Sequence, residues 1–239
     1  MVEHIKKIVP GLVKEYDERK KEDLRKIIPT IVRKGIDSIN LSMFNTEMRN
    51  ALLNAAGDEF LKRGRMTEAI ISFTLSKNPS KLIEVGDQYK ETGLYANAIE
   101  VYKLADSREK LIAIGDFCID HEERTGDAIK AFTYANDPTR LVKIGEDCIR
   151  KEKYDFAVEI FSQLNDVKKL AIIGDLCVEA RQYAYAAKAY ELAGDKERLT
   201  KLGDICLKEG LLGSAYKLYE LAENTMMVEF LKENFPDQI

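Results

Sequence analysis

The sequence predicts an all-α fold, an α-solenoid of stacked antiparallel helix pairs, and three regularities predict it. A glycine followed by an acid recurs at Gly57-Asp58, Gly86-Asp87, Gly115-Asp116, Gly145-Glu146, Gly174-Asp175 and Gly203-Asp204, with spacings of 29, 29, 30, 29 and 29 residues. Apolar residues flank each glycine at helical rather than strand spacing. Residues that cap helix starts stand eight positions before five of these glycines. Self-similarity at a fixed period marks units that cannot bury their apolar faces alone and therefore stack.

The chain divides into residues 1–49, an N-terminal helical cap or arm, and 50–239, six helix pairs followed by a C-terminal capping helix. In the arm, Ile5, Val9, Leu12, Val13 and Tyr16, and then Leu24, Ile27, Ile28, Ile31 and Val32, carry helical apolar spacing. Two helices are expected there, kinked or started near Pro10 and Pro29.

The first helix of each pair is set by Leu53, Leu82, Leu111, Leu141, Leu170 and Leu199, each four residues before a repeat glycine and so on the same helical face. Phe60, Tyr89, Cys118, Cys148, Cys177 and Cys206, three residues after it, continue the buried stripe. Asn78, Ser107, Asp137, Asp166 and Asp195 are the expected N-caps, with Pro79 and Pro138 at the first helical position, where a missing N–H does no harm. Gly64, Gly93 and Gly210 share one place after the first helix, as helix-ending glycines do. The one-residue insertion of the third copy falls in that turn, at 121–126.

The second helix carries Ala69, Ala98, Ala128, Ala157, Ala186 and Ala215, and four residues later Phe73, Tyr102, Phe132, Phe161, Tyr190 and Tyr219. A glycine inside a helix costs about 1 kcal/mol relative to alanine. Its return in every copy demands a compensation, and close approach of the second helix through its small alanine is the expected one. At the end of the chain Asn224 is placed like a further N-cap, and Met226–Phe235 start another first helix with Lys232 at the glycine position. It reads as a solvating cap.

These residues resemble the signature of the tetratricopeptide repeat family over about residues 50–235: Leu, Gly four later, an aromatic three after that, Ala twelve after Gly and an aromatic four after Ala. Ala105, Ala135, Ala193 and Ala222 match its further small residue. The chain departs from the family's unit of roughly 34 residues and has cysteine where an aromatic is usual in four copies. Short helical repeats of clathrin-like coat and transport proteins are a competing resemblance. The tetratricopeptide resemblance implies a right-handed superhelix and a concave groove that takes peptides, faced by the acid after each glycine. That family's two-carboxylate clamp uses a lysine and asparagine pattern that acids at this position do not match, so a ligand with a free acidic C-terminus is not expected.

Composition narrows the function. The net charge of -4 and pI near 5.5 argue against gripping nucleic acid, which wants a basic face. Residues 1–50 carry a surplus of +3 and the remainder -7, so a mildly basic arm precedes an acidic body. No stretch approaches the roughly 18 apolar residues of a membrane span, and the charged start lacks a signal-peptide core. With four cysteines in no disulfide-like spacing, the expected compartment is the reducing cytoplasm.

Cys118, Cys148, Cys177 and Cys206 sit one per repeat on helices roughly 8–10 Å apart, beyond the Cα reach of about 7 Å for a disulfide. They read as small, buried apolar groups. There is no C-x-x-C, no G-x-S-x-G, no P-loop and no G-x-G-x-x-G, and His4 and His121 are the only histidines. No enzyme activity, metal or cofactor is therefore expected.

The repeated acid, Asp58, Asp87, Asp116, Glu146, Asp175 and Asp204, lies one residue off the packed stripe and is the candidate partner-binding row. Two readings stand side by side. The carboxylates line a groove for a basic or mixed-charge protein segment, or each bonds backbone or a basic side chain of the next repeat. The expected function is a non-enzymatic protein–protein interaction scaffold or adaptor. The alternatives are self-association through the N-terminal helices and a regulatory domain sensing a small cationic ligand.

Overall fold

A computed structural model describes residues 26–36, 40–236 and 238 of the chain. Among these the chain is helical with no strand. Helix α1 covers 26–34, and a 3-10 turn at Leu41–Met43 leads into the pairs. These are α2 (Thr46–Lys62) with α3 (Met66–Leu75) and α4 (Pro79–Glu91) with α5 (Tyr95–Leu104), followed along the chain by α6 (Arg108–Ile119) and α7 (Thr125–Tyr134). There follow α8 (Pro138–Arg150) with α9 (Tyr154–Gln163), α10 (Val167–Glu179) with α11 (Tyr183–Ala193), α12 (Lys196–Lys208) with α13 (Leu212–Leu221), and the unpaired α14 (Thr225–Asn234). The architecture is an all-α solenoid. It forms two compact units, 1–116 and 117–239.

In the first unit each helix packs on its sequence neighbour from α2 to α5. Ile31 and Val32 of α1, with Ile36 just after it, are buried in one core with Leu52, Leu53, Phe60, Phe73, Leu82 and Val85. The described part of the arm thus covers the open face of the first pair. Arg65 fastens it, donating from Nη1 to the Val32 carbonyl at 2.6 Å while its guanidinium lies over the Phe60 ring. The expected first arm helix lies outside the described residues.

In the second unit neighbours again pack in order from α7 to α14, and α9 also meets α7 and α11. The pattern positions do what their spacing demands. The leucine before each glycine, the alanine and the aromatic of every copy are buried. Each large apolar side chain taken fully out of water contributes roughly 1.5–3 kcal/mol.

The turns explain how so short a repeat closes. After each second helix the residue in the N-cap position donates its backbone N–H to the carbonyl of the repeat aromatic, as in Ser107 to Tyr102, Asp166 to Phe161 and Asn224 to Tyr219, at 2.9–3.0 Å. This bond, spanning five residues, is the Schellman closure of a helix end. The residue that closes one helix then starts the next: the side chains of Asn78, Asp137, Asp166, Asp195 and Asn224 each accept the backbone N–H three residues on. No spacer residues are needed, which accounts for a repeat of 29 residues rather than a longer one.

Candidate functional site

The six acids stand on α2, α4, α6, α8, α10 and α12, one residue past the repeat glycine, and the ring of the second helix covers that glycine at Gly57, Gly86, Gly145, Gly174 and Gly203. That offset fixes the surroundings of Asp58, Asp87, Glu146 and Asp175: each carboxylate points between its own pair and the following repeat. In three copies the repeat aromatic is a tyrosine, and its hydroxyl reaches back across the pair. Tyr102 donates to Oδ1 of Asp87 at 2.6 Å, Tyr190 to Asp175 at 2.8 Å and Tyr219 to Asp204 at 2.7 Å. Phe73 and Phe161 offer no such donor to Asp58 and Glu146.

A second set of bonds crosses between repeats. Lys110 Nζ donates to both oxygens of Asp87 at 2.8 and 2.9 Å. Lys169 Nζ lies 3.0 Å from Glu146, Arg198 Nε 3.0 Å from Asp175, and Lys81 Nζ 3.3 Å from Asp58. Each cation stands three residues after the N-cap of the next first helix, a row that continues through Arg140 and ends at Met227. The sequence contains that signal, a Lys or Arg three places past every cap from Asn78 to Asp195. Its meaning appears only when the helices are set side by side.

The arms differ in strength. An exposed ion pair contributes about 0–1 kcal/mol, whereas a hydrogen bond to a charged group is worth roughly 1.5–3 kcal/mol. Burial alone would raise the Asp87 carboxyl, but the bonds from Lys110 and Tyr102 outweigh it and hold the group below the usual carboxylate value. Burial, and then the bond to its acid, push the phenols of Tyr102, Tyr190 and Tyr219 well above the ordinary value. Lys81 is shared, bonding Glu84 at 2.8 Å as well as Asp58, so the first rung is the slackest.

Asp204 closes the row differently. Met227 occupies the cation's place, and among the described residues Asp204 has the Tyr219 hydroxyl but no basic partner. Asp116, on α6, is exposed. The structure therefore realises inter-repeat pairing at Asp58, Asp87, Glu146 and Asp175, yet leaves these acids accessible. Their side chains are 39–51% exposed at Asp58, Asp87, Glu146 and Asp175. A carboxylate offers about four acceptor directions, so a held acid can still accept from a partner.

Clefts open beside these acids. One of about 520 Å³ lies between α1 and α2, beside Asp58; one of about 580 Å³ between α8 and α10, beside Glu146; and one of about 640 Å³ between α10 and α12, beside Asp175. The four cysteines are buried and unbridged. Burial pushes the Cys148 and Cys177 thiols up to about 11. Among the described residues no group of three or more His, Cys, Asp and Glu side chains is placed to hold a metal ion, and no helix is long and apolar enough to cross a membrane. No protein-family model matches the chain, and no curated protein matches it in sequence.

Proposed function

We propose that this chain is a tetratricopeptide-like, non-enzymatic scaffold that holds a segment of a partner protein against the face formed by its acid-bearing helices. The observation that carries the reading is the combination of clefts between successive first helices with carboxylates held by tyrosine and cation yet half exposed. Groups already oriented by the fold lose little freedom when a ligand arrives, which is the main saving in binding. The free thiols suit a reducing compartment, and the cytoplasm is the proposed location.

The test is capture of partners by the full chain and by a variant carrying Asp87→Asn, Asp175→Asn and Asp204→Asn, with melting measured on both. Loss of a salt-sensitive partner at unchanged melting temperature supports the reading. An earlier melt with an unchanged set of partners rejects the acids as a binding row and leaves them as links between repeats.

A further inference from the structure

At four places the row acid is balanced by the cation of the next repeat: Asp58 by Lys81, Asp87 by Lys110, Glu146 by Lys169 and Asp175 by Arg198. Repeat-specific charge therefore has to come from positions that differ between copies. Two such positions stand two residues before and five after the glycine, and they line the clefts at Ala55, Lys62, Lys143, Arg150, Ile172, Glu179 and Lys201. They read Ala55 and Lys62, Glu84 and Glu91, Ala113 and Asp120, Lys143 and Arg150, Ile172 and Glu179, and Lys201 and Lys208. The α8 copy is the first in which both are basic.

These residues meet in the cleft of about 580 Å³ between α8 and α10, lined by Lys143, Glu146, Ile149, Arg150, Lys169 and Ile172. Three cations face one acid there. Glu146 is committed to Lys169 at 3.0 Å, and Lys169 is further held over the Phe161 ring at 5.8 Å. Arg150 is paired with Asp147 at 3.0 Å. Lys143 is exposed and has no acidic partner among the described residues. Beside it stand Ile149, half-buried, and Ile172, exposed to 51%.

The next cleft has a different balance. Between α10 and α12, Lys201 pairs with Glu197 and Arg198 with Asp175, which leaves Glu179 as the uncommitted charge. The basic surplus of the α8–α10 cleft is thus not repeated in the α10–α12 cleft.

We propose that the α8–α10 cleft is the subsite of the binding face that takes an acidic side chain of a partner segment, with Lys143 as the recognising cation and Ile149 and Ile172 seating a neighbouring aliphatic side chain. This rests on the scaffold reading above and assigns the partner chemistry at one place in it. The carboxylate is borne on a side chain within the segment, so no free C-terminus is required. Charge complementarity selects the occupant: a basic segment would bring a further cation against Lys143, and like-charge juxtaposition is what interfaces use to exclude wrong partners.

The probes are a short fluorescein-labelled peptide of alternating glutamate and leucine and its lysine–leucine counterpart, titrated against the full chain by anisotropy at low salt. The glutamate–leucine peptide should bind saturably. Lys143→Glu should weaken it about fivefold, the upper range for one exposed pair. Ile172→Ser should weaken it too. Lys217→Glu, the same charge change on the exposed face of α13, should leave it unchanged. Melting temperatures of all three variants check that the fold is intact.

Equal weakening by Lys217→Glu, or no saturable binding of the glutamate–leucine peptide, overturns the subsite. If the lysine–leucine peptide binds instead and loses affinity with Asp204→Asn, the subsite is wrong while the scaffold reading stands with a basic partner.

Discussion

The hydroxyl of Tyr102 donates to Asp87 at 2.6 Å, tying α5 back to α4, and the same carboxylate receives Lys110 from α6. One acid thus joins the two helices of its pair and the start of the next. Tyr102→Phe removes only the first link. It should cost about 1–2 kcal/mol, and Asp87→Asn in the Tyr102→Phe background should cost less than in the wild type. Additive losses in a double-mutant cycle would show that hydroxyl and carboxylate do not couple.

Within the helices, glycine is required where a ring covers it and dispensable at Gly126. A Cβ on Gly57, Gly145 or Gly203 would lie 2.5–2.7 Å from Phe73, Phe161 or Tyr219, and one on Gly86 or Gly174 would come closer still to Tyr102 or Tyr190. Gly145→Leu should therefore destabilise by at least the roughly 1–3 kcal/mol of overpacking. A Cβ on Gly126, by contrast, meets Phe156 at an ordinary 3.6 Å. Gly126→Ala should be neutral or stabilise by up to about 1 kcal/mol. Melting shifts of the same sign for the two would contradict the packing.

The turns hold left-handed residues in register. After the second helices the positions are Lys77, Asp106, Asn136, Asn165, Gly194 and Glu223, and after the first helices Gly64, Gly93, Glu152, Arg181 and Gly210, all at positive φ. A non-glycine residue there costs roughly 1–2 kcal/mol, partly offset by the extra freedom glycine loses on folding. Arg181→Gly should thus stabilise by a few tenths to about 1 kcal/mol. Gly210→Ala should destabilise by about 1 kcal/mol, although nothing lies within 4 Å of its Cβ position. Chemical denaturation of both variants reads the difference.

Burial raises the thiols of Cys148 and Cys177 to about 11 from an ordinary 9.0. At pH 8 the native thiolate fraction is then about a hundredfold below that of the unfolded chain, and labelling by a thiol reagent should be slower by at least that factor. Because folding raises these pKa values, the native state holds the protons more tightly. Their contribution to stability is intact below pH 9 and lost as pH rises through 9 to 11, with the raised phenols of Tyr102, Tyr190 and Tyr219 extending the loss upward. Asp87, lowered by folding, contributes above its ordinary 3.8 and loses that contribution in acid. The melting temperature should hold from neutral pH to about 9 and then fall; a rise there would contradict the burial.

The sequence by itself determined the helices, their pairing order and the buried rows. Those follow from local rules: the 3.6-residue period, caps such as Asp166, and glycine at a helix end such as Gly93. It also showed that each repeat glycine needs a close neighbour. Only the tertiary structure decided which neighbour. The Phe161 and Tyr190 rings, rather than Ala157 and Ala186, supply the nearest atoms over Gly145 and Gly174, because what covers a helix depends on where the opposing side chain lands. The partners of the acids were undecided for the same reason. Lys110 stands 23 residues from Asp87 in the chain, and the two meet only when successive first helices lie side by side. Left-handed turns at Glu152 and Arg181 were equally hidden, since the Schellman closure of the short repeat imposes a conformation that their own side chains disfavour. Periodicity fixes what each segment becomes locally, whereas the contacts of Asp87, Gly145 and Lys143 depend on the spacing between helices.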